Sequence, residues 1–177
     1  MITIREATQQ DENGIRLVHL SAFAEDEREL ITTVACQLLA EETTPPTISL
    51  VVEAEGTILA HVALSPVTLV QDESFQGYIL APLAVLPEWQ NRKIGSKLVE
   101  AAIERLRERS AEILFVYGDP QYYGRFGFDA NCAVGYIAPY ELTYPFGWQA
   151  VRLNDRASEL PKGALSCVAS LCKQSLW

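Results

Sequence analysis

Hydrophobic and polar positions alternate or recur along this chain in blocks that predict its elements. Ile2 and Ile4 alternate with polar neighbours, which suits a short first strand. Thr8 or Asp11 then opens a helical stretch with Ile15, Val18 and Ala22 at helical spacing. A second helix follows, with Leu30, Ile31, Val34, Leu38 and Leu39 on one face, and Pro45-Pro46 ends it. Ile48 to Ala54 and Thr57 to Leu64 read as two strands joined at Glu55-Gly56, a hairpin signal. Val67 to Val70 extends the second strand, and Gln71 to Gln76 reads as a polar link.

The next strand, Tyr78 to Val85, contains Pro82, which has no ladder donor and implies a bulge or a strand parting from its neighbour. A helix from about Gly95 to Arg109 turns Leu98, Val99, Ala102, Ile103 and Leu106 inward, and Glu112 to Gly118 follows as a buried strand. Strand, helix, strand in this order implies a right-handed parallel crossover. Asp119 and Pro120 are a good N-cap and first residue for a short helix, which Gly127 can close. Strand-like pieces around Val134 to Ile137 and Trp148 to Leu153 flank a Tyr/Pro-rich link from Pro139 to Gly147. The tail from Asn154 to Trp177 fits a helix by Leu165, Val168, Cys172 and Leu176, and a strand by Leu165, Cys167, Ala169 and Leu171.

Composition narrows the function classes. With 177 residues and 49% apolar content, the chain is long enough to bury a substantial core. A formal charge of −9 argues against a general nucleic-acid binder, which needs a basic face. No apolar run is long enough to span a bilayer, and the first residues lack an apolar signal core, so a cytoplasmic protein without membrane partner is expected. Cys36, Cys132, Cys167 and Cys172 form no Cys-x-x-Cys pair and have no His at metal spacing. They read as small buried hydrophobes in a reducing compartment, with no metal.

Basic charge is concentrated where it can serve a ligand. The turn from Gln90 to Gly95 leads into a helix start, whose free amide N–H groups and dipole favour an anion. Arg92, Lys93 and Lys97 add full positive charges, so a phosphate-bearing ligand is the expected occupant. There is no Gly-x-x-x-x-Gly-Lys-Ser/Thr loop, no Gly-x-Gly-x-x-Gly fingerprint and no nucleophile elbow around Ser96.

These residues carry a resemblance. Gln90-Asn91-Arg92-Lys93-Ile94-Gly95 resembles motif A of the GNAT superfamily of acetyl-CoA-dependent N-acetyltransferases, Gln/Arg-x-x-Gly-x-Gly/Ala, with Lys93 where the first glycine is expected. Tyr123 stands four residues before Gly127-Phe128, as is common in that family. The run Gly118-Asp119-Pro120-Gln121-Tyr122-Tyr123-Gly124-Arg125-Phe126-Gly127-Phe128, the segment Leu80 to Glu88 and the strand around His61 are similar to a bacterial subgroup of predicted acetyltransferases.

The resemblance implies an α/β fold with a mixed central sheet splayed between its fourth and fifth strands and helices on both faces. Residues 1–153 would form the acetyltransferase domain and 154–177 an extension packing on it. It implies acetyl-CoA as cosubstrate and an amine acceptor on a small molecule or protein, with a homodimer among the open assembly states. Backbone groups of Leu83, Ala84 and Val85 would pair with the pantetheine arm, Leu83 N–H facing the thioester oxygen. Gln90, Asn91, Arg92, Lys93, Ile94, Gly95 and Ser96 would hold the pyrophosphate, and Tyr122 and Phe126 would border the coenzyme.

Tyr123 is the expected general acid, since a phenol of pKa about 10 stays protonated at neutral pH and can donate to a leaving thiolate. The glutamate some members place two residues before the position of Leu83 is Ala81 here, followed by Pro82. The base therefore stays open among Glu25, Asp26, Asp72, Glu73 and His61. Acidic residues in Phe23 to Glu29 and Gln71 to Gln76 favour a cationic acceptor. The alternative is a non-catalytic acyl-CoA-binding sensor or interaction module.

Overall fold

Backbone pairing in the computed structural model follows the apolar pattern closely. The structure describes residues 1–155 and 159–177. The elements run β1 (Ile2–Glu6), α1 (Glu12–Ala22), α2 (Arg28–Ala40), β2 (Ile48–Ala54), β3 (Thr57–Leu69), β4 (Asp72–Val85), α3 (Ile94–Glu108), β5 (Ile113–Tyr117), α4 (Pro120–Tyr123), β6 (Tyr136–Ile137), β7 (Trp148–Arg152) and β8 (Gly163–Ser166). The fold is mixed α/β. The β4–β5 pair and the short β6–β8 pair are parallel, and the β1–β2, β2–β3, β3–β8 and β5–β7 pairs are antiparallel. Two units emerge, Met1–Leu64 with Ala81–Ala102 and Ser65–Leu80 with Ile103–Trp177, and β3, β4 and α3 contribute residues to both.

In the first unit the neighbour order is β1-β2-β3-β4. Glu55 and Gly56, both at positive φ, make the tight β2–β3 turn that the Glu-Gly pair predicts. Ile15, Val18, Val34 and Leu38 of α1 and α2 are buried, as are Leu50, Val51, Val52 and Leu59 to Leu64 of the strands. Arg5 on β1 joins β2 and the entry to α1. Its guanidinium donates to both Asp11 oxygens at 2.8 Å, and its Nε to Glu53 at 2.7 Å. That pairing holds the Asp11 carboxyl at about 2, below its ordinary value.

In the second unit the order is β3-β4-β5-β7. The parallel ladder runs from Gly77↔Ile113 to Leu80↔Val116 and ends one residue before the cis Ala81–Pro82 bond. The polar stretch Gln71 to Gln76 is not a link. Val70 and Gln71 turn the chain tightly and β4 starts at Asp72, because Phe75 points inward while Glu73, Ser74 and Gln76 face solvent. Tail residues resolve as strand β8 and two 3-10 turns, Ala169–Leu171 and Gln174–Leu176. Residues 156–158 of the predicted C-terminal extension lie outside the described residues.

Around β5, fully buried Phe115 stacks on Trp148 with centroids 5.3 Å apart and meets Tyr136 edge-on at 5.1 Å. The cysteines depart from expectation: Cys36, Cys132 and Cys167 are half-buried and Cys172 is exposed. Cys36 lies within α2 on a partly exposed face, Cys132 in a 3-10 turn, and Cys167 and Cys172 beyond β8, all outside the core that residue type alone would favour. Among the described residues no helix is long and apolar enough to cross a membrane.

Phe115→Ala is expected to destabilise the protein by about 3–5 kcal/mol, the usual range for an aromatic removed from a packed core. Urea unfolding followed by tryptophan fluorescence measures it through the shift in midpoint.

Candidate functional site

Each unit carries its own group of candidate residues, built by local backbone chemistry. In the first unit, β4 ends in Leu83, Ala84 and Val85, of which Ala84 is buried and the other two half-buried. Leu86 N–H donates to Leu59 carbonyl at 2.9 Å, so β3 anchors this end of the chain. The Gln90 amide donates to Val85 carbonyl at 3.0 Å and ties the basic turn back to β4. Gln90 is thus a brace for the strand end.

The turn itself is exposed from Gln90 to Lys93. Asn91 (φ 59°) and Lys93 (φ 62°) both adopt the left-handed conformation. Asparagine tolerates it, whereas lysine bears a cost of about 1–2 kcal/mol. Lysine therefore takes a left-handed conformation at the position where the motif carries glycine. Lys97 N–H donates to Lys93 carbonyl at 3.0 Å, which makes Lys93 the capping residue of α3. The N–H groups of Ile94, Gly95 and Ser96 therefore have no carbonyl within their own helix. The side chain of Ile94 is buried, so only its backbone can serve a ligand. Gly95 and Ser96 are half-buried. The Arg92 guanidinium lies over the Trp89 ring, 4.9 Å from its centroid, a cation–π contact that composition did not reveal. Unsatisfied amides, an adjacent fixed cation and exposed lysines fit a diphosphate.

In the second unit the expected N-cap forms: Asp119 accepts the Gln121 N–H at 2.9 Å, Pro120 starts α4, and Gly127 closes the following turn at φ 89°. This folds Tyr122, Tyr123, Phe126 and Phe128 into one aromatic group. Tyr123 meets Tyr122 edge-on at 4.9 Å and Phe128 at 5.6 Å. Its ring also lies against Gly118, where an added Cβ would fall 2.6 Å from Cε2. Glycine is thus required beside the tyrosine for space. Burial, with Tyr122 as a lesser cause, pushes the Tyr123 phenol above its ordinary value and keeps it protonated across neutral pH. Tyr122 and Phe126 are half-buried, 5.5 Å apart, with the Arg125 guanidinium 4.5 Å over the Tyr122 ring. Arg125 is a cation the sequence reading passed over; its signal is the i, i+3 spacing to Tyr122 on a short helix.

Among the candidate bases, His61 is fully buried, and its Nδ1 shares a 2.8 Å hydrogen bond with Nε2 of equally buried His19. Asp72 accepts from the Ser74 N–H and hydroxyl, which hold its carboxyl below the ordinary range, and Glu73 lies exposed on β4. Glu25 is 3.8 Å from Arg28, and Asp26 is exposed on the α1–α2 link. Among the described residues no group of three or more His, Cys, Asp or Glu is placed to hold a metal ion.

A basic elbow at a helix start and a tyrosine on a short Asp-capped helix define a class, and comparison gives its name. Residues 12–128 match the model of the Acetyltransferase (GNAT) family, and the chain belongs to that family. It is 35% identical over 144 residues to "Uncharacterized N-acetyltransferase YjhQ" of Escherichia coli K12, spanning 79% of this chain and 77% of that one. Among solved structures it is similar to the GNAT family N-acetyltransferase YhbS of Escherichia coli in complex with CoA, with TM-score 0.82, 25% identity, and 97% and 92% of the two chains covered. A GNAT family acetyltransferase from Brucella melitensis in complex with acetyl-CoA gives TM-score 0.71 at 28% identity, covering 96% and 97%.

Two outcomes follow from these geometries. Lys93→Gly removes the left-handed strain but adds unfolded-state freedom, so a net gain of about 0.5–1 kcal/mol is expected in urea unfolding. The two histidines, the only ones in the chain, set an acid limit. Burial lowers His19 to about 4, and burial and then His19 lower His61 well below the usual value. The unfolded chain takes up protons near 6.5 while the folded one does not, so stability is complete above that pH and falls as pH drops towards 4. His19 alone accounts for about 3 kcal/mol over that window. Asp11 titrates only below it. Denaturation at pH 7 and 4.5 measures the loss, and equal stabilities would show that solvent reaches the pair.

Proposed function

We propose that the protein transfers an acetyl group from acetyl-CoA to a primary amine by direct attack. The observation that carries this reading is the α3 start, where unsatisfied amides of Ile94, Gly95 and Ser96 meet Arg92, Lys93 and Lys97 in an exposed turn. A nucleotide-linked diphosphate satisfies both the dipole and the charges. When bound, acetyl-CoA supplies an activated thioester carbonyl.

The chain's own residues then have three tasks. Asn91 to Ser96 hold the diphosphate, with Arg92 oriented by Trp89. Leu83, Ala84 and Val85 align the pantetheine arm by backbone pairing, with Leu83 N–H as the oxyanion donor, a role whose loss typically costs about 3 kcal/mol. Tyr123 Oη holds the proton the departing thiolate needs. A phenol raised above its ordinary value is a poor acid towards a thiol of pKa about 8.5, so its main effect is a strong hydrogen bond to sulfur as charge develops. Glu25, Asp26 and Glu27 give the α1–α2 link a negative field that suits a cationic acceptor.

A coenzyme-binding module without turnover is the second reading. It draws on two observations: Ala81 occupies the strand position where some members carry a carboxylate, and His61 is sealed in the core against His19.

Thioester consumption across a panel of primary amines, alongside calorimetry with CoA, separates the two. Tyr123→Phe is expected to lower kcat about 10- to 100-fold, the usual cost of losing one hydrogen bond to a developing charge, with CoA affinity unchanged. Unaltered kcat would make the hydroxyl a packing group. Tight CoA binding without consumption on any amine would favour the module.

A further inference from the structure

The C-terminal segment of the second unit holds a pair of thiols that the transfer reaction does not use. Cys167 follows β8 and Cys172 follows the 3-10 turn Ala169–Leu171, which brings Sγ to Sγ at 3.7 Å. Cys172 is exposed, and its thiol donates to Val168 carbonyl at 3.4 Å with Cys167 carbonyl at 3.8 Å. The Tyr140 hydroxyl hydrogen-bonds Cys172. Among the described residues this is the one contact between two thiols. The half-buried Cys36 thiol is pushed up by burial and is a poor nucleophile.

We propose that Cys167 and Cys172 are a redox-reactive dithiol that closes to an intramolecular disulfide on meeting a low-molecular-weight disulfide. The balance is simple. Cys172 thiolate attacks one sulfur of the oxidant, forming a mixed disulfide and releasing one thiolate. Cys167 thiolate then attacks Cys172 Sγ and expels the second. The protein loses two electrons and two protons, and the oxidant is reduced to two thiols. Contact between the sulfurs favours the second step over persistence of the adduct.

The bond would fix the turn that seats the last residue. Leu171 carbonyl accepts the Trp177 indole N–H at 3.1 Å, and Trp177 carbonyl accepts the Thr143 N–H at 2.9 Å. Trp177 stacks on Tyr117 and Tyr140. Oxidation therefore staples the segment that holds this aromatic cluster, and reduction releases it.

The test is independent of acetyl transfer. Folded protein is incubated with oxidised glutathione, quenched with an alkylating agent and read by intact mass and peptide mapping. Expected is the loss of two hydrogens without a retained glutathione, a cross-link between Cys167 and Cys172, alkylated Cys36 and Cys132, and reversal by dithiothreitol. Cys167→Ser should stop at a stable glutathione adduct on Cys172. Cys172→Ser, at an exposed position, should show no loss of two hydrogens while keeping its far-ultraviolet circular dichroism. A persistent adduct on the unaltered chain, thiols left unmodified, or linkage between molecules would each overturn the proposal.

Discussion

A helix cannot satisfy the first amides of its own backbone, and the candidate coenzyme site depends on that constraint. Ile94, Gly95 and Ser96 carry those donors, and the buried residues Ile94, Leu98, Val99, Ala102 and Leu106 fix the helix rotation that decides where they face. The preceding turn then needs left-handed residues at Asn91 and Lys93 to bring the chain from β4 into that helix. Lysine at such a position is locally unfavourable. Its charge beside the candidate anion site supplies a reason for a residue that backbone preference alone would reject.

The second unit solves a different problem, which is to present one hydroxyl on a ring held from several sides. Gly118 leaves the room, Asp119 starts the helix, Phe128 and Tyr122 close on the ring, and Gly147 carbonyl accepts the Gly118 N–H at 3.0 Å. None of these contacts involves the phenol oxygen itself. Ring position is therefore set by shape.

Much of this was readable from the residues. Periodicity located β2, α3 and β5 to within a residue or two, and the Asp119-Pro120 start and Gly127 stop were legible because caps are local chemistry. The start of β4 was not. Glu73, Ser74 and Gln76 look like a loop because only Phe75 faces inward, and a strand with one wet face has little apolar signal. Pairings distant in sequence were also invisible. His61 was placed on an apolar strand, but its partner lies 42 residues away on another element. Thiol exposure followed the end of β8 and not the average habit of cysteine. Trp89 and Arg125 were missed because a cation over a ring depends on rotamers that spacing does not encode.

The sealed imidazole pair leaves a lasting mark on the molecule. Whichever tautomer forms, one outer nitrogen retains an unmatched N–H and the other a bare lone pair, since His19 Nδ1 and His61 Nε2 both lack partners among the described residues. With no other histidine in the chain, every imidazole signal in a nuclear magnetic resonance spectrum arises from this junction of α1 and β3. Nature has in effect installed a site-specific label at the centre of the first unit, and its nitrogen shifts report directly whether that centre is intact.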